Sequence, residues 1–452
     1  YRKESEVLHF FAGRPEFILD HATRCMDLDA GWESVKAWKQ EDKRKVKDAF
    51  SERAVQGKRM VAYAYLTGEE IGDPPQDLIY VGVAVISDPV RAEVPDAIEE
   101  LAGAGIRTVM ITGDIPETAV NVARKAGIDA QKVLTGAEIA AKSDTTLAEV
   151  FQDTSVFART TPEEKLRLVK AFNHNGETTA VTGDGINDAP ALNTAHIGVA
   201  MGERGTDVAR ESADLVLTDD NFAHLPQGVA IGRKAYDNFR KGITDYLSAK
   251  AILLSIFIIP LVLGMPFPFS PIQIILTELL MDLASSTIFI SEVAEPGIMQ
   301  RRPHRKSRFL SWNVGKQILR NMAGLTIAIL AVYFISFALG FDTENARTAA
   351  FTTWLLGHII LAMNLKQENL PLFKQGLFSN TFAIAWLAGM ILLAVVLTRV
   401  SFVRSILGTT TLGAVQWVMV VSGAMLASMW MEIVKWVRWK RSGQIPGDDN
   451  SL

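Results

Sequence analysis

Cysteine is nearly absent: among 452 residues, Cys25 is the one thiol. No internal disulfide can form, which excludes a disulfide-stapled secreted domain. An excess of basic charge is missing too. Lys and Arg number 46 against 50 Asp and Glu, a formal net charge of −4. That balance argues against a nucleic-acid binder relying on overall positive charge. The sequence opens at Tyr1 without an apolar leader, so the expectation is a piece of a longer protein. Charged residues make up 21 % but become sparse after about residue 245, where the 48 % of apolar residues concentrate. So apolar a chain is not disordered, and its length suits about two or three domains.

Six long apolar runs follow residue 245, over 246–264, 271–293, 321–340, 349–365, 380–398 and 413–432. A spanning helix needs about 20 mostly apolar residues. The competing reading, six buried helices of a soluble core, does not produce so many near-spanning runs. Arg233, Lys234, Arg240 and Lys241 precede the first run, and Arg301, Arg302, Arg305, Lys306 and Arg308 separate the second from the third. Lys366 and Lys374 follow the fourth, and Lys435, Arg438, Lys440 and Arg441 the sixth. The positive-inside rule then places both ends of the bundle in the cytoplasm, with a plasma or inner membrane expected. On the same grounds RRPHRKSR reads as a cytoplasmic loop, and no nucleic-acid partner is expected.

The first half alternates short β-rich runs with helical stretches. Runs at 78–87, 108–114, 155–160, 179–185, 197–201 and 213–217 read as strands of one parallel sheet. PETAVNVARKAG and PEEKLRLVKAFNHNG lie between them, with helical periodicity and an early proline. This is the pattern of a doubly wound α/β sheet, whose ligands bind at the carboxyl ends of the strands. TGD at 112–114 and TGDG at 182–185 fall at such ends. Residues 1–75, with VLHFFAG, RMVAYAYLTG and a charged helix around 33–55, read as the trailing part of a separate α+β domain.

TGDGINDAPAL (182–192) places Asp184 and Asp188 four residues apart, with Asn187 between them, around a strand-to-helix turn. Two carboxylates and an amide suit Mg²⁺, which prefers oxygen ligands and substrate phosphate. A DG turn alone is commonplace; the eleven-residue string is not. Together these stretches resemble the P-type ATPases, cation pumps with a HAD-like phosphorylation domain. The resemblance covers essentially the whole chain and implies ATP and Mg²⁺ as cofactors. It implies phosphoryl contacts for Thr112, Gly113 and Asp114, and a phosphate-neutralising role for Lys165. It implies catalytic support from Asn187 and Asp188, and magnesium binding by Asp184 and Asp188. It also implies nucleotide contacts for Glu16 in GRPE, Arg59, Asp88 and Arg91 in SDPVR, and Arg159 in FART. SDPVR departs from the family's DPPR, and GRPE has Ala12 where KGAPE has lysine. The family's phosphorylated aspartate lies in DKTGT, and neither that string nor the actuator's TGES occurs here. The resemblance therefore implies the C-terminal half of a pump, whose partner is the missing N-terminal half, in the same chain or another.

Between Tyr246 and Ser291 only Lys250, Glu278 and Asp282 are charged. Such residues are expensive in a bilayer and are functional candidates. Glu278 and Asp282, four apart, share a helix face. Measured from the connecting loop, Lys250 and Asp282 differ in depth by only about 3 Å. The expectation is a Lys250–Asp282 pair that leaves Glu278 for an ion. His358 is near mid-membrane, either as a ligand or as a packed polar residue. The resemblance places Lys250 where proton/potassium pumps of the family carry a lysine, and His358 where calcium pumps carry a glutamate. No CPC motif is present, which argues against soft metals.

The expected architecture is α/β plus an all-α membrane part. It comprises the tail of a nucleotide-binding domain (1–76), a HAD-like Rossmannoid phosphorylation domain (77–232), six transmembrane helices (233–441) and a cytoplasmic tail (442–452). The expected function is that of a P-type ATPase moving calcium or a similar hard cation through the lipid bilayer. The alternatives are a proton or monovalent-cation pump of the same family, a non-catalytic membrane scaffold, and a membrane-anchored HAD phosphatase. The last would need its own nucleophilic aspartate.

Overall fold

The computed structural model describes residues 2–3, 6–27, 34–55, 58–68, 72, 74–86, 89–151, 153–282, 288–303, 311–366, 371–372 and 380–442. Asp88, the basic residues Arg305, Lys306, Arg308 and Lys374, and the tail from 443 onward lie outside the described residues. Chain contacts divide the molecule into one unit of residues 1–102 and 107–225 and another of 103–106 and 226–452.

The first unit opens with a six-stranded sheet of order β1-β2-β5-β6-β3-β4. Its strands are β1 (Arg2–Lys3), β2 (Glu6–Gly13), β3 (Ala22–Met26), β4 (Val35–Ala37), β5 (Arg59–Thr67) and β6 (Leu78–Ile86). Helix α1 (Pro15–His21) buries Leu19 and packs Ile18 with Ala62, Ala64 and Leu78, and α2 is Gln40–Val55. All pairings are antiparallel except β3 with β6. One expectation is corrected here. Leu78–Ile86 runs antiparallel to β5 from Ile86↔Arg59 to Ile79↔Tyr65, so it belongs to this first sheet and not to the parallel series. Its apolar composition is that of a two-sided buried strand, and composition does not say which neighbour covers it.

Two three-stranded parallel sheets follow. One has the order β7-β9-β8, from β7 (Met110–Ile111), β8 (Val133–Thr135) and β9 (Val156–Ala158). The other has the order β10-β11-β12, from β10 (Ala180–Gly183), β11 (Ile197–Met201) and β12 (Leu215–Leu217). The helices are α3 (Val94–Gly103), α4 (Pro116–Ala126), α5 (Gly136–Ala140), α6 (Asp144–Val150), α7 (Pro162–His174), α8 (Ala189–Thr194) and α9 (Asp207–Glu211). Helices α4 and α7 begin with proline in the first turn, where its missing N–H costs nothing. Helix α7 also carries a capping box between Thr161 and Glu164. Ala119 and Ala123 of α4 pack with Val156 and Ala158, and Leu168 and Phe172 of α7 with Phe157.

The second unit is helical: α10 (His224–Val262), α11 (Pro271–Leu276), α12 (Trp312–Ala338), α13 (Thr343–Leu365), α14 (Thr381–Arg399), α15 (Ser401–Leu407) and α16 (Ala414–Ser442). Among the described residues five helices, α10, α12, α13, α14 and α16, are long and apolar enough to cross a membrane. Within the 271–293 run, α11 passes into a π-helical segment at Thr277–Asp282, and residues 283–287 lie outside the described residues. Helix α13 is the central one, with 89 % of its apolar window buried against 33 % for α10, α14 and α16. Small residues permit the close approach. A Cβ on Gly357 would meet Leu325 at 2.4 Å, and one on Gly324 would meet the Ala427 carbonyl at 2.7 Å. Tyr333 Oη donates to Pro266 O (2.6 Å) and Arg347 Nε to Phe267 O (2.8 Å), fixing the turn between α10 and α11.

Candidate functional site

Four turns at strand ends make up the polar centre of the first unit. The TGD turn after β7 is latched to the turn after β9. Thr112 O accepts from Thr160 N and Thr160 Oγ1, both at 3.0 Å, and Asp114 O accepts from Arg159 N at 2.8 Å. Arg159 is exposed and holds φ +51°, a conformation uncommon outside glycine. Within the TGD turn Asp114 N donates to Thr112 Oγ1 (3.1 Å). The Thr112 hydroxyl hydrogen is therefore directed elsewhere and can be given to a ligand. Gly113 and Asp114 are exposed.

Lys165 rises from the first turn of α7, and its Nζ donates to Asp188 Oδ1 at 2.8 Å. The other oxygen, Asp188 Oδ2, accepts from Gly185 N (3.3 Å) and more distantly from Asp184 N (3.4 Å). This turn can form because residue 183 is glycine: a Cβ there would lie 2.5 Å from Asp188 Cβ. Asp184 and Asn187 are exposed. The two carboxylates of the motif thus differ in situation. Asp188 is held by a lysine and backbone amides, while Asp184 faces solvent. The fourth turn joins through Thr206 N, which donates to Asp184 O at 2.9 Å.

Glu16, Arg59, Arg91 and Arg159 are spread over several elements. Glu16 is exposed in the first turn of α1, and Arg59 opens β5. The register Gly13↔Ala62 brings the start of β5 to the end of β2 that leads into α1. Arg91 Nη1 donates to Asp220 O at 3.0 Å. Among the described residues of this unit, Cys25, Tyr80, Glu138 and Asp219 depart from their ordinary titration. The backbone N–H and hydroxyl of Thr135 hold the Glu138 carboxyl below the usual carboxylate range. Burial pushes the Tyr80 phenol up.

In the helical unit, Lys250 Nζ donates to Glu278 Oε2 in a close ion pair and lies 5.0 Å from the Tyr246 ring centroid. Glu278 is therefore not left free by Lys250, contrary to expectation. Glu278 lies in the π-helical turn Thr277–Asp282, whose residues are displaced around the axis relative to a regular α-helix. Asp282 ends that turn, and its side chain lies outside the described residues. His358 is fully buried, with Nε2 at 3.6 Å from Asp245 Oδ2 and its ring stacked on Trp354 at 5.5 Å.

Sequence reasoning missed the buried network beside this pair. Lys241 Nζ lies 2.7 Å from Glu295 Oε1 and donates to Lys366 O at 2.8 Å. Lys366 Nζ lies 3.3 Å from Glu292 Oε2, which also accepts from Asn380 Nδ2 at 3.0 Å. Arg301 bridges Asp237 (2.8 Å) and Glu295 (3.1 Å). Asp245 and Glu292 stand one residue outside the 246–291 window in which charges were counted. In the sequence Lys241, Arg301 and Lys366 stand only as basic residues flanking the apolar runs; Lys366 is 1 % exposed.

Among the described residues no three His, Cys, Asp or Glu side chains cluster to hold a metal by themselves. The exposed Asp184, four residues from Asp188, fits Mg²⁺, which takes one or two carboxylates and completes its shell with water and substrate phosphate.

Residues 12–196 match the haloacid dehalogenase-like hydrolases, and 266–437 match the C-terminus of the cation transporting ATPases. The chain is 34 % identical to calcium-transporting ATPase 1 of Yarrowia lipolytica, over 82 % of this chain and 41 % of that protein. With calcium-transporting ATPase 1 of Lactococcus lactis it shares 33 % identity over 96 % of this chain and 50 % of the relative. The namesake of Schizosaccharomyces pombe is 30 % identical over 99 % and 50 %. The chain spans about half the length of these curated relatives.

Proposed function

We propose, for a chain that belongs to the P-type cation-transporting ATPases, the role of the C-terminal part of an ATP-driven calcium pump. The observation that carries this reading is the convergence of the 112–114, 159–165 and 183–188 turns through the Lys165–Asp188 pair. Phosphoryl transfer depends chiefly on positioning and charge neutralisation. Lys165 supplies fixed positive charge to the phosphoryl oxygens, and Thr112 donates its hydroxyl hydrogen to one of them. Asp188 aims Lys165. Asp184, exposed and with a carboxylate not taken up by lysine, would hold Mg²⁺ together with phosphate oxygens. When bound, the ion neutralises charge that develops in the transition state. ATP would be gripped by Glu16, Arg59, Arg91 and Arg159, with Asp88 nearby in sequence.

No DKTGT occurs in this sequence, so the nucleophilic aspartate must come from residues outside it. The sheet topology is compatible with this. Strands β7 and β10, which lead into the two phosphoryl motifs, are both edge strands and each offers an unpaired side to a further strand.

The membrane path would run past Lys250, Glu278, Asp282 and His358. The 271–293 segment would complete six spans, both ends of the bundle would be cytoplasmic, and the membrane would be the plasma or inner membrane. Calcium is favoured by the relatives named above. The Lys250–Glu278 pair supports one divalent ion per cycle, because a built-in ammonium already neutralises one carboxylate. Cation-stimulated ATP hydrolysis by the complete pump tests the reading. Calcium should stimulate the wild type, and Asp282→Asn should shift the calcium dependence. An unshifted response would remove Asp282 from the path.

A further inference from the structure

The geometry points to Asp220 as a positioning residue for the Asp184 carboxylate, acting through the 202–206 turn. Asp220 is 7 % exposed and holds φ +54°, a conformation a non-glycine residue keeps only when its surroundings over-determine it. Its two carboxylate oxygens accept from two successive backbone amides, Glu203 N and Arg204 N, each at 3.0 Å. Its own carbonyl accepts from Arg91 Nη1 at 3.0 Å. A carboxylate between paired N–H donors makes strong, directional bonds.

The turn so held has little freedom. Gly202 N donates to Leu217 O at 2.8 Å, and Arg210 Nη1 donates to Gly202 O at 3.1 Å and closely to Gly205 O. A Cβ on Gly205 would fall 1.9 Å from Met201 O, so the backbone folds more tightly than any side chain permits. The turn ends at Thr206, whose N–H reaches Asp184 O at 2.9 Å. The other backbone restraint on Asp184, from its N–H to Asp188 Oδ2, is 3.4 Å long. By distance the Thr206 bond is much the stronger. Asp220 therefore fixes one end of a rigid turn whose other end orients Asp184, the residue assigned to Mg²⁺.

The inference rests on that magnesium assignment, and the test separates the two. Mn²⁺ would serve as a spectroscopic probe of the detergent-solubilised full chain, read by electron paramagnetic resonance and displaced by Mg²⁺. Asp184→Asn defines the binding that belongs to the site. Asp220→Asn keeps a residue that tolerates positive φ while removing one acceptor. Thr206→Pro removes the relaying N–H at a position whose φ of −70° suits proline. Each change should weaken Asp184-dependent Mn²⁺ affinity about 10-fold. The double variant should be no weaker than either single one, because both act on one relay. Amide exchange at Thr206 should quicken in Asp220→Asn, a readout independent of whether Thr206→Pro folds. Unchanged Asp184-dependent affinity, fully additive losses, or unaltered Thr206 exchange would overturn the role of Asp220. Mn²⁺ binding equal in wild type and Asp184→Asn would remove the magnesium assignment itself, and this role with it.

Discussion

Lys165 Nζ stands 2.8 Å from Asp188 Oδ1, so the first turn of α7 and the turn after β10 meet in one ion pair. The pair retains some solvent contact, at 22 % and 15 % side-chain exposure, and such pairs contribute about 1 kcal/mol or less to folding. Its chemical contribution is larger. Lys165→Met should slow phosphoryl transfer by about 10²–10³-fold, the effect of removing one charge-stabilising donor. Thermal unfolding of the same variant should move by only a few degrees.

Gly183→Ala should damage the site without touching a charged group. The added methyl would stand 2.5 Å from Asp188 Cβ, forcing that turn outward at a cost of about 1–3 kcal/mol. Phosphorylation should fall along with stability. A variant with wild-type phosphorylation would show that the turn has room to spare.

The Lys366–Glu292 pair is buried on both sides. Removing one partner strands the other, so Lys366→Met should destabilise the helical unit by about 3–5 kcal/mol. Adding Glu292→Leu to it should recover part of the loss. Detergent-solubilised thermal unfolding of the two single variants and the double one measures the coupling.

Lys250→Met releases Glu278 from its ammonium partner. The number of positive charges moved per ATP should rise. Current measured against ATP hydrolysed in reconstituted vesicles reads this, and an unaltered ratio would remove the counter-ion role of Lys250.

Glu138 offers a pH test. Its carboxyl is held below the ordinary range by Thr135. The stabilisation from this cap is complete above the unfolded-state carboxylate pKa and is lost as pH falls through the lowered folded value. Carboxyl-carbon NMR should show Glu138 ionised to lower pH than other exposed glutamates. Thr135→Val should bring it back toward them.

Much of the site was legible because it is local. TGD, GDGIND and FARTTPEEK each put their polar residues next to a strand end or a proline-started helix, where alternation and capping signals are strong. Leu78–Ile86 was misplaced because an apolar strand advertises burial but not its neighbour. That Lys250 meets Glu278 was missed because the π-helical turn at Thr277–Asp282 carries no hydropathy signal. Asp245, Glu292, Glu295 and Lys366 escaped notice because charge at a span boundary looks solvated in one dimension. Only the packing of α10, α13 and α14 shows that these residues are buried and that their charges are met inside the bundle.

The most direct test of the proposed pump is phosphorylation by γ-labelled ATP of the complete protein, this chain together with the segment that supplies the nucleophilic aspartate. An acid-stable, hydroxylamine-labile phosphoenzyme should form, and Lys165→Met and Asp184→Asn should suppress it. Absence of that phosphoenzyme in wild type, or its formation at full rate in both variants, would contradict the assignment of these turns to phosphoryl transfer.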